Sequence, residues 1–264
     1  MAYPDDANGA PRGPVTGAAW LVLPTFDEAE NLEAIVEAAA GHLESAAPSD
    51  WRILVVDDAS PDGTGAIADR LAARNGAVEV LHRPSKEGLG PAYLAGFARA
   101  LARGADRVIE MDADVSHDPA DLPRLIAASA DADLVLGSRY VLGGGVQDWG
   151  PLRRAISRGG CGYARAWLRV PVQDLTGGFK CIRAEVLRTI DPESIRGRGY
   201  VFQIEITYRA LRAGFRVAEI PIVFRDRRLG RSKMSPRIAL EAIWRVPLLR
   251  RRAGRSAAAH TASP

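Results

Sequence analysis

Between Ala18 and Leu136 the chain alternates short apolar runs with stretches of helical period, and no other feature narrows its possible folds so far. The runs are Ala19–Leu23, Ile53–Val56, Val78–Leu81, Val108–Met111 and Leu134–Leu136. Between them lie Glu28–Leu43, Gly65–Arg74, Ala92–Arg103 and Ala120–Ala128. Runs that are apolar throughout belong to strands buried on both faces, so the pattern predicts an α/β fold with a mostly parallel sheet between helices. In such sheets ligands bind beyond the carboxyl ends of the strands. The residues there are Pro24-Thr25-Phe26-Asp27-Glu28, Asp57-Asp58, His82 to Lys86, Asp112-Ala113-Asp114 and Ser138-Arg139.

After Arg139 the pattern changes. Gly143-Gly144-Gly145 opens a loop, and Leu152–Leu168 reads as a basic amphipathic helix interrupted at Gly159-Gly160. Residues 174–183 read as a turn and short strand, Val201–Arg212 as a helix, and Arg216–Phe224 as a strand. Pro236–Arg252 reads as a second basic amphipathic helix with Ile238, Leu240, Ile243, Trp244, Leu248 and Leu249 on its apolar positions. This gives one main domain over 18–235 flanked by disordered segments 1–17 and 253–264, with the 236–252 helix appended.

Charge is divided along the chain. Residues 1–150 carry 24 acidic and 11 basic side chains, whereas residues 151–264 carry 8 and 24. An acidic half suited to a metal therefore precedes a basic half suited to phosphates, an anionic membrane or nucleic acid, the alternative being two solvated faces of opposite sign. Cys161 and Cys181 sit in no Cys/His cluster, so neither a disulfide framework nor a structural zinc site is indicated, and a reducing compartment fits best. No stretch reaches the roughly 18–20 apolar residues of a membrane span.

Asp112 and Asp114 follow the fourth run, and two carboxylates one residue apart reach a single cation only if the chain turns there. Their hard oxygens suit Mg²⁺ or Mn²⁺. Asp118-Pro119 supplies an N-cap and a first-turn proline for the helix beyond. At the end of the second run a turn-and-cap role suffices for Asp57, Ser60 and Asp62, leaving Asp58 as the candidate for base or ribose hydroxyls. Lys86-Glu-Gly88-Leu-Gly90 matches neither the dinucleotide fingerprint nor the P-loop, so its glycines read as a tight turn. His82 and His117 receive no catalytic role. The segment 225–233 holds five cations around Gly230, a loop able to clamp a diphosphate and an acceptor phosphate.

Eight segments, in order, carry a resemblance: Leu23-Pro24-Thr-Phe26-Asp-Glu28, Val-Val-Asp57-Asp58-Ala-Ser-Pro-Asp-Gly-Thr, Met-Asp112-Ala113-Asp114-Val-Ser-His-Asp-Pro, Gly-Ser-Arg139-Tyr, Ile-Ser-Arg-Gly, Asp174-Leu-Thr-Gly-Gly-Phe, Gly-Tyr-Val-Phe-Gln-Ile-Glu205 and Arg227-Arg-Leu-Gly-Arg-Ser-Lys233. From Ala18 to about Lys233 the chain resembles the dolichyl- or polyprenyl-phosphate mannosyltransferases of glycosyltransferase family 2. The resemblance implies a GT-A, Rossmann-like fold with Pro24, Phe26, Glu28, Val56 and Asp58 around guanosine. It implies Asp112 and Asp114 on Mg²⁺ or Mn²⁺, counts Ala113 between them among the substrate-binding residues, and places Arg139, Arg227 and Lys233 around the diphosphate and acceptor phosphate. Phe26 stands where the family usually has Tyr, and Ser116 where some members have a Gln metal ligand, which leaves a third protein ligand open.

The implied reaction is inverting transfer of mannose from GDP-mannose to a polyprenyl phosphate. A phosphate monoester is already largely ionised at neutral pH and needs no strong general base, so help is directed to the leaving diphosphate. The rival donor is UDP-glucose. A different class, a non-catalytic membrane-binding module, has no use for both the carboxylate pair and the cationic loop. Nucleic acid is disfavoured because the basic segments lack an aromatic stacking platform. With no span of its own, the enzyme is expected at the cytoplasmic face of a membrane, docked through 152–168 and 236–252 and held by a separate integral membrane protein.

Overall fold

A computed structural model describes residues 17–47, 50–195, 197, 199–226 and 244–250. The first half builds β1 (Ala19–Thr25), α1 (Leu32–Ala46), β2 (Trp51–Asp57), α2 (Thr64–Arg74), β3 (Val78–His82), α3 (Leu89–Ala102), β4 (Arg107–Glu110), α4 (Leu122–Ala128) and β5 (Leu134–Ser138). The second half adds β6 (Gly145–Val146), α5 (Pro151–Leu168), β7 (Lys180–Arg183), α6 (Ala184–Ile190), α7 (Tyr200–Arg212), β8 (Val217–Pro221) and β9 (Val223–Phe224).

Seven strands form one sheet in the order β3-β2-β1-β4-β7-β5-β8. All neighbours are parallel except β7, which runs antiparallel between β4 and β5. The expected α/β architecture is therefore present. Both faces of the sheet are covered, as its apolar strands demand. Trp20 and Val22 of β1 join one core with α3 and α7, while Ala19, Leu21 and Leu23 join the other with α1 and α4. That alternation is the two-residue period of a strand put to use on both sides. Helix α1 offers the matching period, burying Leu32, Ile35, Val36, Ala39 and Leu43 along one stripe. On the opposite face α3 lies so close that a Cβ on Gly96 would stand 2.4 Å from Val22 Cγ1.

Several expectations need correction. Helix α1 begins at Leu32, not Glu28, because residues 27–31 form a loop whose amides are taken by side chains after β2: Asp27 N donates to Ser60 Oγ, Glu28 N to Thr64 Oγ1 and Ala29 N to Asp62 Oδ2. Helix α5 runs through Gly159-Gly160 without a break. A glycine pair costs a helix about 2 kcal/mol in propensity, and burial of Cys161, Ala164 and Leu168 against the core holds it instead. The Arg216–Phe224 run divides at Ile222 into β8 on the main sheet and β9 paired with β6. Helix α6 had no counterpart in the sequence reading. Of the 236–252 segment only 244–250 lies within the described residues, and it is helical.

Candidate active site

The carboxyl ends of β1, β2 and β4 gather at one edge of the sheet, and each is followed by a non-glycine residue in the left-handed region: Asp27 at φ 53°, Ala59 at φ 59° and Val115 at φ 63°. For a β-branched residue such as Val115 this conformation is uncommon and strained. It turns the chain directly after Asp112-Ala113-Asp114, as two carboxylates sharing one cation require. Ser116 N donates to Asp114 Oδ1 at 3.0 Å, closing the turn.

Asp112 is set from two sides. The Tyr93 hydroxyl, on α3, donates to its Oδ1 at 3.1 Å. Burial, then the neighbouring Asp112, pushes the Tyr93 phenol well above its ordinary pKa, so it stays a donor. The Asp112 backbone N–H donates to His117 Nδ1 at 3.3 Å, which leaves the ring proton on Nε2. His117 itself is packed between Phe179 and Phe224. His82 lies elsewhere, bonded to Asp69 at 2.9 Å; that hydrogen bond raises its pKa.

Two cavities meet at the carboxylate pair. The larger, about 380 Å³, contains seven of the eleven residues singled out from sequence: Pro24, Phe26, Glu28, Asp58, Asp112, Ala113 and Asp114. Val56 of β2, by contrast, is fully buried in the core and lines neither cavity, its carbonyl accepting from Thr25 Oγ1, so the structure does not bring it to the nucleoside as the resemblance implied. Asp58 lies at the wall, but its carboxylate already receives the amides of Glu87 (3.0 Å) and Gly88 (2.8 Å) and pairs with Arg83. It thereby fixes the loop entering α3. Lys86 of that loop rests 3.4 Å above the Phe26 ring centroid. The sequence predicts only a tight turn at Lys86–Gly90, whereas in the structure these residues line the cavity.

The second cavity, about 110 Å³, also takes Asp112 and Asp114, together with His117, Arg139, Arg153 and Gln203. Arg139 is held from behind by Asp174, its Nε and Nη2 donating at 2.7 and 2.6 Å, with Nη2 also reaching Thr176 Oγ1. Burial opposes both charges, but each partner outweighs it: the carboxyl is held below its ordinary range and the guanidinium raised. Asp174 and Gln203 fall within segments that carry the resemblance but received no role of their own, and Arg153 was not singled out, since the partners of all three lie far along the chain. Arg227 and Lys233 lie outside the described residues.

Asp112 and Asp114 suit a hard divalent cation: both are oxygen donors at a turn, both border the two cavities, and Asp114 is buried. Among the described residues no group of three or more His, Cys, Asp or Glu is placed to hold a metal ion, so the pair would have to be supplemented by ligands from outside those side chains.

A parallel sheet with an inserted antiparallel strand, and a carboxylate pair between two cavities at its edge, define a GT-A glycosyltransferase. Residues 20–191 match glycosyl transferase family 2, and the chain belongs to that family. It is 48% identical over 225 residues to the undecaprenyl-phosphate mannosyltransferase of Micrococcus luteus, covering 85% of this chain and 90% of that protein. It is 49% identical over 228 residues to the polyprenol monophosphomannose synthase of Mycolicibacterium smegmatis, covering 86% and 84%. Among solved structures it resembles a mannosyltransferase from Pyrobaculum calidifontis in complex with GDP-Man and Mn²⁺, with TM-score 0.61, 17% identity and coverage of 99% and 80%. Glucosyl-3-phosphoglycerate synthase from Mycobacterium tuberculosis matches with TM-score 0.64, 18% identity and coverage of 89% and 80%.

Proposed function

We propose that this enzyme transfers mannose from GDP-mannose to a polyprenyl phosphate with inversion at the anomeric carbon. The observation that carries this reading is the meeting of two cavities at Asp112 and Asp114 in a chain nearly half identical to two polyprenyl-phosphate mannosyltransferases. The nucleoside is assigned to the larger cavity, against Phe26 and Glu28, with Asp58 holding the wall. The sugar is assigned beyond the carboxylate pair, in the smaller cavity. Asp112 and Asp114 are the residues that would hold Mg²⁺ or Mn²⁺, which when bound supplies Lewis-acid stabilisation of the leaving diphosphate. Arg139, Arg227 and Lys233 are assigned to the phosphates. Arg139 serves from a fixed position, because Asp174 already holds its Nε and Nη2. The acceptor monoester is ionised at neutral pH and attacks without a general base.

The acceptor's isoprenoid stays in a bilayer, and α5 offers a surface to meet it. Among the described residues no helix is long and apolar enough to cross a membrane. On α5, Leu152, Ile156 and Trp167 form an outward stripe opposite the buried Cys161, Ala164 and Leu168. From 151 to 169 there are five arginines and no acidic residue. Trp244 and Leu248 are exposed on the 244–250 helix, which Arg250 ties to α5 by donating to Trp167 O. This composition fits an anionic interface. Each arginine adds only about 1 kcal/mol, which salt weakens, so a separate integral membrane protein remains part of this reading.

A donor panel tests the reading: GDP-mannose, GDP-glucose and UDP-glucose are each offered with polyprenyl phosphate and Mn²⁺. Preference for GDP-mannose and a β-linked product by NMR are expected. Preference for UDP-glucose overturns the donor assignment.

A further inference from the structure

Beneath the second cavity lies a polar cluster that none of the roles above uses. Lys180 of β7 and Glu110 of β4 are both fully buried, 3.5 Å apart, between two apolar cores. Lys180 Nζ donates to the Gln203 carbonyl at 3.3 Å and to the Gln203 side-chain oxygen. An ammonium has only donors, so it admits the amide in one sense: Oε1 toward Lys180 and the NH₂ away from it. Burial raises the Glu110 pKa, with Lys180 and then Gln203 opposing it, so the NH₂ lies near that carboxylate. Yet Gln203 Nε2 makes no hydrogen bond among the described residues, although Gln203 is buried and borders the cavity. An NH₂ has two hydrogens, and one turned toward Glu110 still leaves the other for a ligand.

Gly178 adjoins both that amide and Asp112. A Cβ there would stand 3.4 Å from Gln203 Nε2 and 3.9 Å from Asp112 Oδ2. The missing side chain thus leaves open the space that faces both groups, into which a ligand atom can reach. A hydroxyl suits it, accepting from the amide and donating to the carboxylate. Phosphate oxygens find cations in the same cavity in Arg139 and Arg153, so the neutral donor is matched to a neutral acceptor.

We propose that Gln203 reads a hydroxyl of the transferred hexose, and that Lys180 is the positioning residue that fixes its amide. This rests on the sugar occupying the second cavity. Gln203 is then a determinant of which sugar is transferred, because a site built around a hydrogen bond rejects sugars that leave it unmade.

The test is titration calorimetry on the full chain with Mn²⁺, comparing each free nucleoside diphosphate with its sugar conjugate. For whichever nucleotide sugar the wild type prefers, Gln203→Leu is expected to weaken binding about three- to tenfold while leaving the free diphosphate within twofold. Gln203→Glu, which keeps acceptors and loses the donor, should do the same, and so should Gly178→Ala. Lys180→Met should weaken the same conjugate, with no further loss when combined with Gln203→Leu. Unchanged conjugate binding in both Gln203 variants overturns the proposal, as does equal weakening of diphosphate and conjugate. So does a wild type whose affinity for every conjugate equals that for its diphosphate. A wild type preferring UDP-glucose overturns the mannose reading alone, since the comparison then runs on that donor.

Discussion

Arg139 and Asp174 meet through two side-chain hydrogen bonds of 2.7 and 2.6 Å, and Asp174 Oδ2 also accepts the Arg139 backbone N–H at 3.0 Å. Asp174 is fully buried, so neither charge can fall back on water. Asp174→Ala is expected to destabilise the fold by about 3–5 kcal/mol by leaving a buried guanidinium unpaired. Because the folded carboxyl is held below its ordinary range, its stabilisation is present above about pH 4 and lost as pH falls through the lower native value. Urea midpoints at pH 7 and pH 3 check this. The gap between wild type and variant should narrow at the lower pH.

Asp112→Ala and Asp114→Ala should each lower turnover at least about a hundredfold, the order expected when stabilisation of a leaving group is lost. Asp112 is half-buried, and its loss leaves the buried Tyr93 hydroxyl without that acceptor, so a modest fall in melting temperature is expected, with the protein still folded under assay conditions. Steady-state kinetics beside thermal melts separates the two effects. Near-normal turnover with unchanged metal affinity contradicts the assignment.

Gly96→Ala tests the close approach of α3 to the sheet. The added methyl would meet Val22 Cγ1 at 2.4 Å in the packed core, so a loss of about 1–3 kcal/mol is expected despite alanine's better helix propensity. Chemical denaturation gives the number.

The sheet, its order of elements and the carboxylate pair were legible because each rests on local pattern: apolar runs, helical period, and acidic residues at strand ends. The rest depends on partners distant in sequence. Asp174 acquires its meaning from Arg139, 35 residues earlier, and Gln203 from Lys180, 23 residues earlier. Insertion of β7 between β4 and β5 is likewise a long-range pairing with no local signal. Asp58 was correctly located at a strand end, but that its carboxylate braces Glu87 and Gly88 could not be read from periodicity.

Replacement of Ile156, Trp167 and Trp244 by Ser should reduce co-sedimentation with anionic liposomes while leaving activity on a short, soluble acceptor intact. Wild-type binding should fall with salt. Equal binding by variant and wild type would remove α5 from the docking surface.

The central claim is tested most directly by incubating the protein with labelled GDP-mannose, Mn²⁺ and polyprenyl phosphate and extracting the lipid. The account predicts a mild-acid-labile mannosyl lipid that disappears with chelator and in Asp112→Ala. Absence of a labelled lipid from the active wild type, or the same yield in chelator and in Asp112→Ala, would contradict it.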